Sequence, residues 1–144
     1  MDHDHYPPNY PRQILQSVKT IAVVGASPKP DRPAHYVPMF LKARGYRVIP
    51  VNPMLIGQTL FGEKVHASLV DLARELANDG KGPIEMVDVF RRAEDMGPVV
   101  DDAIQAGAKI LWMQLGIRND KEAKRAEAAG MTVIMNRCPK IELP

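Results

Sequence analysis

A single cysteine, Cys138, stands among 144 residues, so no internal disulfide can form. Long apolar runs are also missing. Pro, Gly or charge interrupts every stretch before it reaches the length of a membrane span, so no membrane association is expected. Neither sign of charge dominates: 19 Lys and Arg face 17 Asp and Glu, a formal net charge of +2. That balance does not predict nucleic-acid binding, and any basic patch must be local. Met1 to Arg12 lack the apolar segment of a secretion signal. With a lone thiol as well, the expected compartment is the reducing cytoplasm. His35 and His66 have no ligand partners at metal spacing, so no metal site is assigned. No Ser-His-Asp or paired-carboxylate pattern stands out, and no complete catalytic site is expected.

What is present is a regular alternation. Hydrophobic residues at 45% and charged residues at 25% describe an ordinary globular chain, and the length suits one domain. Met1 to Pro11 carry three prolines and no periodicity and read as a flexible tail, leaving 12–144 as the domain. A short helix is expected over 12–17. Short, nearly continuous apolar runs at 20–24, 46–51, 84–90, 109–113 and 131–135 read as strands buried on both faces. Helical segments fall between them at 33–44, 68–78, 93–106 and 120–129. Arg44-Gly45, Ala106-Gly107 and Ala129-Gly130 each place glycine where a helix must stop. Asn119 and Glu122 have the spacing of a capping box. Residues 57–65 have room for a short extra strand or hairpin. Strands alternating with helices predict an α/β, Rossmann-like fold: a doubly wound, mainly parallel sheet with helices on both faces.

In such a sheet, ligands bind outside the carboxyl ends of the strands. That rule selects four loops: 25–33, 52–57, 90–92 and 114–119. The first reads Gly25-Ala-Ser-Pro-Lys-Pro-Asp-Arg-Pro33. Gly25 permits a tight turn, Ala26 and Ser27 let backbone approach a phosphate, and Ser27 adds a hydroxyl. Lys29 and Arg32 add charge, and Pro33 suits the first turn of a helix whose N-terminus favours anions. The alternative is a Pro-rich loop with solvated charges. The G-x-G-x-x-G dinucleotide fingerprint is absent, because Ser27 and Pro30 replace its later glycines. The second strand ends in Asn52 rather than the acid that grips an NAD ribose. Asn52 can bond a nucleotide and Pro53 can pack on an adenine, or the pair can be simply a turn. Phe90 and Arg91 can pack on a base or ribose and hold a phosphate. As a solvated pair, Arg91 and Arg92 would oppose the dipole of the helix that follows, a conflict an anion relieves. Gly116 would let backbone approach a ligand chain. Trp112 reads as core.

These residues carry a resemblance. Ile21-Ala-Val-Val-Gly-Ala-Ser27, Asp31-Arg-Pro33, Gly45 through Pro53, Met86-Val-Asp-Val-Phe-Arg91, Leu111-Trp-Met-Gln-Leu-Gly116 and Asn136-Arg-Cys-Pro139 resemble the small stand-alone CoA-binding proteins. These are similar to the N-terminal CoA-binding domain of the succinyl-CoA synthetase alpha subunit. The resemblance covers about 13–144 and implies coenzyme A or an acyl-CoA as ligand, with its pyrophosphate at the first loop. By position, the contacts implied are Gly25, Ala26, Ser27, Arg32, Asn52, Pro53, Phe90 and Arg91. The synthetase domain that bears a phosphorylated histidine has no counterpart in this chain, so synthetase activity is not implied. An enzyme acting on a nucleotide or acyl-CoA, or a regulator whose CoA occupancy governs a partner, are the alternatives. Cys138, beside Arg137 and Lys140, is either a buried inert residue or a thiol that CoA caps as a mixed disulfide.

Overall fold

The apolar runs become five parallel strands in the computed structural model, which describes residues 1–144. Helix α1 spans Tyr10–Gln16, β1 Thr20–Val24, α2 Pro33–Ala43 and β2 Arg47–Val51. A two-stranded hairpin follows, β3 Thr59–Leu60 and β4 Glu63–Lys64, then α3 Leu69–Asn78 and β5 Met86–Val89. The chain ends with α4 Met96–Ala106, β6 Ile110–Met113, α5 Asp120–Ala128, β7 Thr132–Ile134 and α6 Pro139–Glu142. Sheet order is β2-β1-β5-β6-β7. The chain therefore winds outward from β1 to one edge, returns, and winds outward from β5 to the other. The switch lies between β1 and β5.

Strand alternation divides the core into two layers. Ala22, Val87, Val89, Leu111, Met113 and Val133 pack with Leu69, Leu72 and Leu76 of α3, Val100 of α4 and Ala126 of α5. Ile21, Val23, Met86, Trp112 and Ile134 pack with Leu15 of α1, Val37 and Leu41 of α2, and Leu60 and Phe61 of the hairpin. Burying each such large side chain contributes about 1.5–3 kcal/mol. Trp112 is fully buried, as its sequence context predicts, and its Nε1–H donates to the Arg137 carbonyl at 2.8 Å.

Several boundaries differ from the sequence expectation for local reasons. The sheet strands other than β1 lose one or more terminal residues, although ladder hydrogen bonds still reach Glu85, Phe90 and Lys109 just outside them. Helix α1 starts at Tyr10, inside the segment read as a tail, with Pro11 in its first turn, where proline's fixed φ suits a helix start. Upstream, Tyr6 accepts from the Met135 N–H at 2.8 Å, and His3 lies 3.3 Å from Glu127. The stretch expected to be one helix from Ala93 is a 3-10 turn over Ala93–Asp95 followed by α4. The segment at 57–65 does hold a hairpin, and Phe61 and Gly62 at its turn both have positive φ. Gly45, Gly107 and Gly130 follow their helices at positive φ. Asn119 caps α5 by accepting from the Glu122 N–H at 3.0 Å. The Glu122 carboxylate does not return to complete the box; it pairs with Arg125 at 2.9 Å. Helix α6 was not foreseen. No helix is long and apolar enough to cross a membrane.

Candidate functional site

The switch point brings the ends of β1 and β5 together. Gly25 leaves β1 at φ +84°, and a Cβ there would lie 2.7 Å from the Phe90 carbonyl oxygen. Only glycine allows both the left-handed turn and this approach. The Phe90 N–H donates to the Val24 carbonyl at 2.9 Å, and the Gly25 N–H to the Val51 carbonyl at 3.0 Å.

The loop after Gly25 is held from several sides. Asn52 donates from Nδ2 to the Ala26 carbonyl at 3.0 Å and accepts from the Met54 N–H at 2.9 Å. The Ser27 N–H donates to the Ala34 carbonyl at 3.2 Å, and His35 Nδ1 bonds the Ser27 carbonyl at 2.8 Å. Ser27 Oγ accepts from the Lys29 N–H at 3.1 Å, which leaves its O–H free to donate. The Ala34 N–H, in the first turn of α2, has no backbone partner. The loop thus offers an anion a hydroxyl, a helix-start N–H and the cations of Lys29 and Arg32.

Two clefts open on either side of Arg91. The larger, about 780 Å³, lies between Ser27, Arg32 and Ala34 on one wall and Phe90, Arg92, Gln114 and Ile117 on the other. The smaller, about 320 Å³, is lined by Gly25, Asn52, Pro53, Ser68 and Asp102. Arg91 lines both. Arg92 is paired, with Asp95 at 3.1 Å and Glu94 at 3.3 Å. These acids occupy the first turn after the arginines and relieve the conflict with the helix dipole without a ligand. Arg91 has only Asp95, at 4.0 Å, and Lys29 and Arg32 have no ion pair. The larger cleft therefore carries unneutralised positive charge. The smaller is acidic on its far wall, where burial, then the neighbouring Asp101 and Asp71, push the Asp102 carboxyl above its usual range.

Of the residues expected to bind, Gly25, Ser27, Arg32, Asn52, Pro53, Phe90 and Arg91 line these clefts. Ala26 does not. It is 1% exposed and offers its carbonyl to Asn52. The expectation that the Ser27 backbone N–H faces a phosphate is corrected, because that group already bonds Ala34. The Asn52 amide nitrogen ties the end of β2 to the first loop, and its oxygen holds the turn at Met54. Gln114 was within a selected loop but was not singled out, although a polar side chain following an all-apolar strand is a readable signal. Ser68 and Asp102 came from segments where no sequence feature pointed to a site. Gly116 sits at φ +88° with open space about it, its N–H held by Asn136 Oδ1 at 2.7 Å. Cys138 is buried in the layer under α2.

A family model described as a CoA binding domain matches residues 19–144. The Bacillus subtilis (strain 168) protein YneT is 37% identical over 130 residues, covering 90% of this chain and 89% of YneT. Among solved structures, cell-free ID.343 from Thermus thermophilus is 39% identical with a TM-score of 0.84, covering 95% of this chain and 96% of that one. A hypothetical protein from Pyrococcus horikoshii OT3 is 36% identical with a TM-score of 0.81, covering 96% of this chain and 94% of that one.

Proposed function

This chain belongs to the CoA-binding domain family, and from that premise we propose that it binds coenzyme A or an acyl-CoA across the two clefts, as a ligand-binding domain over 12–144 without a complete catalytic site of its own. The observation that carries the reading is the uncompensated charge of Lys29, Arg32 and Arg91 at the switch point, beside a free Ser27 hydroxyl. A pyrophosphate satisfies this set, since charge-assisted hydrogen bonds to an anion are the strong ones. On this reading Ser27, Arg32 and Arg91 hold the pyrophosphate. Gly25, Asn52 and Pro53 border the nucleotide end in the smaller cleft. The arm passes Phe90 toward Gln114 and Gly116 in the larger one. A lone cysteine and the lack of a membrane-crossing helix fit a cytoplasmic setting.

Calorimetric titration with CoA, 3′-dephospho-CoA, ATP and NAD tests the proposal. CoA should bind tightest. NAD binding as tightly as CoA sinks it, and turnover of bound acyl-CoA would show that a catalytic site had been overlooked.

A further inference from the structure

The buried side-chain oxygens without a hydrogen-bond partner are Oδ1 and Oδ2 of Asp88 and Oε1 of Gln114. They belong to neighbouring segments of the sheet. Asp88 stands opposite Trp112 in the β5–β6 register, and Gln114 is two residues beyond Trp112. Residues two apart along a strand share a face. Gln114 follows β6 directly and its N–H donates to the Val89 carbonyl at 3.3 Å, so the ladder continues through it. Met86 and Trp112 lie in the layer under α1 and α2, so Asp88 and Gln114 face that layer one diagonal step apart.

In this amide orientation Gln114 Oε1 and both Asp88 oxygens are acceptors, so the two groups can bond each other only if one carries a proton. Gln114 has no proton on Oε1 to give, whereas a protonated carboxyl has one O–H. Burial alone pushes the Asp88 carboxyl well above its usual range. Gln114 is 5% exposed and forms part of the wall of the larger cleft. Oε1 is the buried, unpartnered end of the amide, which leaves its NH₂ group to present to the cleft that Gln114 lines.

We propose that the Asp88 hydroxyl donates to Gln114 Oε1 and thereby sets Gln114 Nε2 as a donor to a carbonyl of the bound ligand's arm. The inference rests on the CoA reading for the ligand. CoA carries amide carbonyls on its arm, an acyl-CoA adds a thioester carbonyl, and ADP has neither. Asp88 is a positioning residue here, and Gln114 touches the ligand.

The full chain and the variants Q114L, D88N and D88L are titrated calorimetrically with CoA and with ADP. Losing one hydrogen bond in a closed site should weaken CoA binding by about tenfold in Q114L, with ADP binding unchanged. D88L should copy Q114L. D88N should keep the parental affinity, because its amide N–H replaces the hydroxyl as donor. The infrared spectrum of the parent should hold a protonated-carboxyl band that D88N lacks and that shifts in Q114L. Q114L alone carries the binding test if D88L fails to fold. Parental CoA affinity in Q114L, or a loss in D88N equal to that in D88L, overturns the inference while the CoA reading stands. If the parent does not bind CoA, the CoA reading falls instead. The infrared band then decides the Asp88–Gln114 bond by itself: a shift in Q114L supports it, and the same band in both proteins overturns it.

Discussion

Replacing Gly25 by Ala puts a methyl group where β1 and β5 meet. At φ +84° a non-glycine residue loses about 1–2 kcal/mol to left-handed backbone strain. The new Cβ would also stand 2.7 Å from the Phe90 carbonyl oxygen, and backbone cannot swing away as a flexible side chain can. The strand ends must part, which weakens the bond from the Phe90 N–H to the Val24 carbonyl, a term of about 0.5–1.5 kcal/mol. Together these come to about 1.5–3.5 kcal/mol. For a chain of this size each kcal/mol lowers Tm by roughly 3–5 °C, so the variant should melt about 5–18 °C below the parent. The same displacement moves Arg91, whose Cδ lies 3.3 Å from the added Cβ, and should weaken CoA binding by about tenfold or more. Gly45→Ala is the control. Its φ is +97°, but no atom lies within 4 Å of its added Cβ, so it should lose only the conformational part and bind CoA like the parent. Thermal unfolding and calorimetry on both variants separate the two effects. Equal melting temperatures, or unchanged CoA affinity in Gly25→Ala, would refute the claim that the switch point is closed against a side chain.

Three further outcomes follow from the same geometry. Ser27→Ala should weaken CoA binding by about 0.5–1.5 kcal/mol through one lost hydroxyl, and Arg91→Ala by about 1.5–3 kcal/mol through a charged contact; both should melt near the parent, and parental affinity in both would mean that the pocket is misplaced. The buried Asp88 carboxyl titrates above its unfolded counterpart, so between the two pKa values the unfolded state binds fewer protons and stability falls as pH rises. Asp88→Asn removes that slope, and denaturant titrations at pH 5 and pH 8 should show its advantage over the parent growing with pH; a constant difference would contradict it. Cys138 is buried among apolar side chains, so iodoacetamide should label it slowly in the native protein and quickly after denaturation, and intact-mass analysis under mild oxidant should show little CoA adduct.

The elements were legible because their signals are local. Thr20–Val24 declares a buried strand by nearly continuous apolarity, and Arg44-Gly45 stops a helix because one backbone position must turn left-handed. The alternation of such segments carries the fold class, since parallel strands need crossovers and crossovers have one hand. The carboxyl-edge rule then picked the loops of Gly25, Asn52, Phe90 and Gln114 with no knowledge of strand order. The segment at 57–65 was legible as a short extra strand or hairpin without its exact strands, and α6 not at all, because two-residue strands and a one-turn helix have too few residues to show a period.

Tertiary structure decided what each loop residue is free to do. Strand order, set by packing between segments far apart in the chain, put Gly25 against Phe90 and made Arg91 common to two clefts. The uses of Asn52, of the Ser27 N–H and of Ala26 depended on Ala26, Ala34 and Asn52 arriving where they did, and a hydrogen bond between distant residues leaves no mark on either segment alone. Asp88 shows the division most clearly. Its sequence neighbours place it in a strand, but only the sheet on both sides shows that its carboxyl is dry, unpartnered and one diagonal step from Gln114.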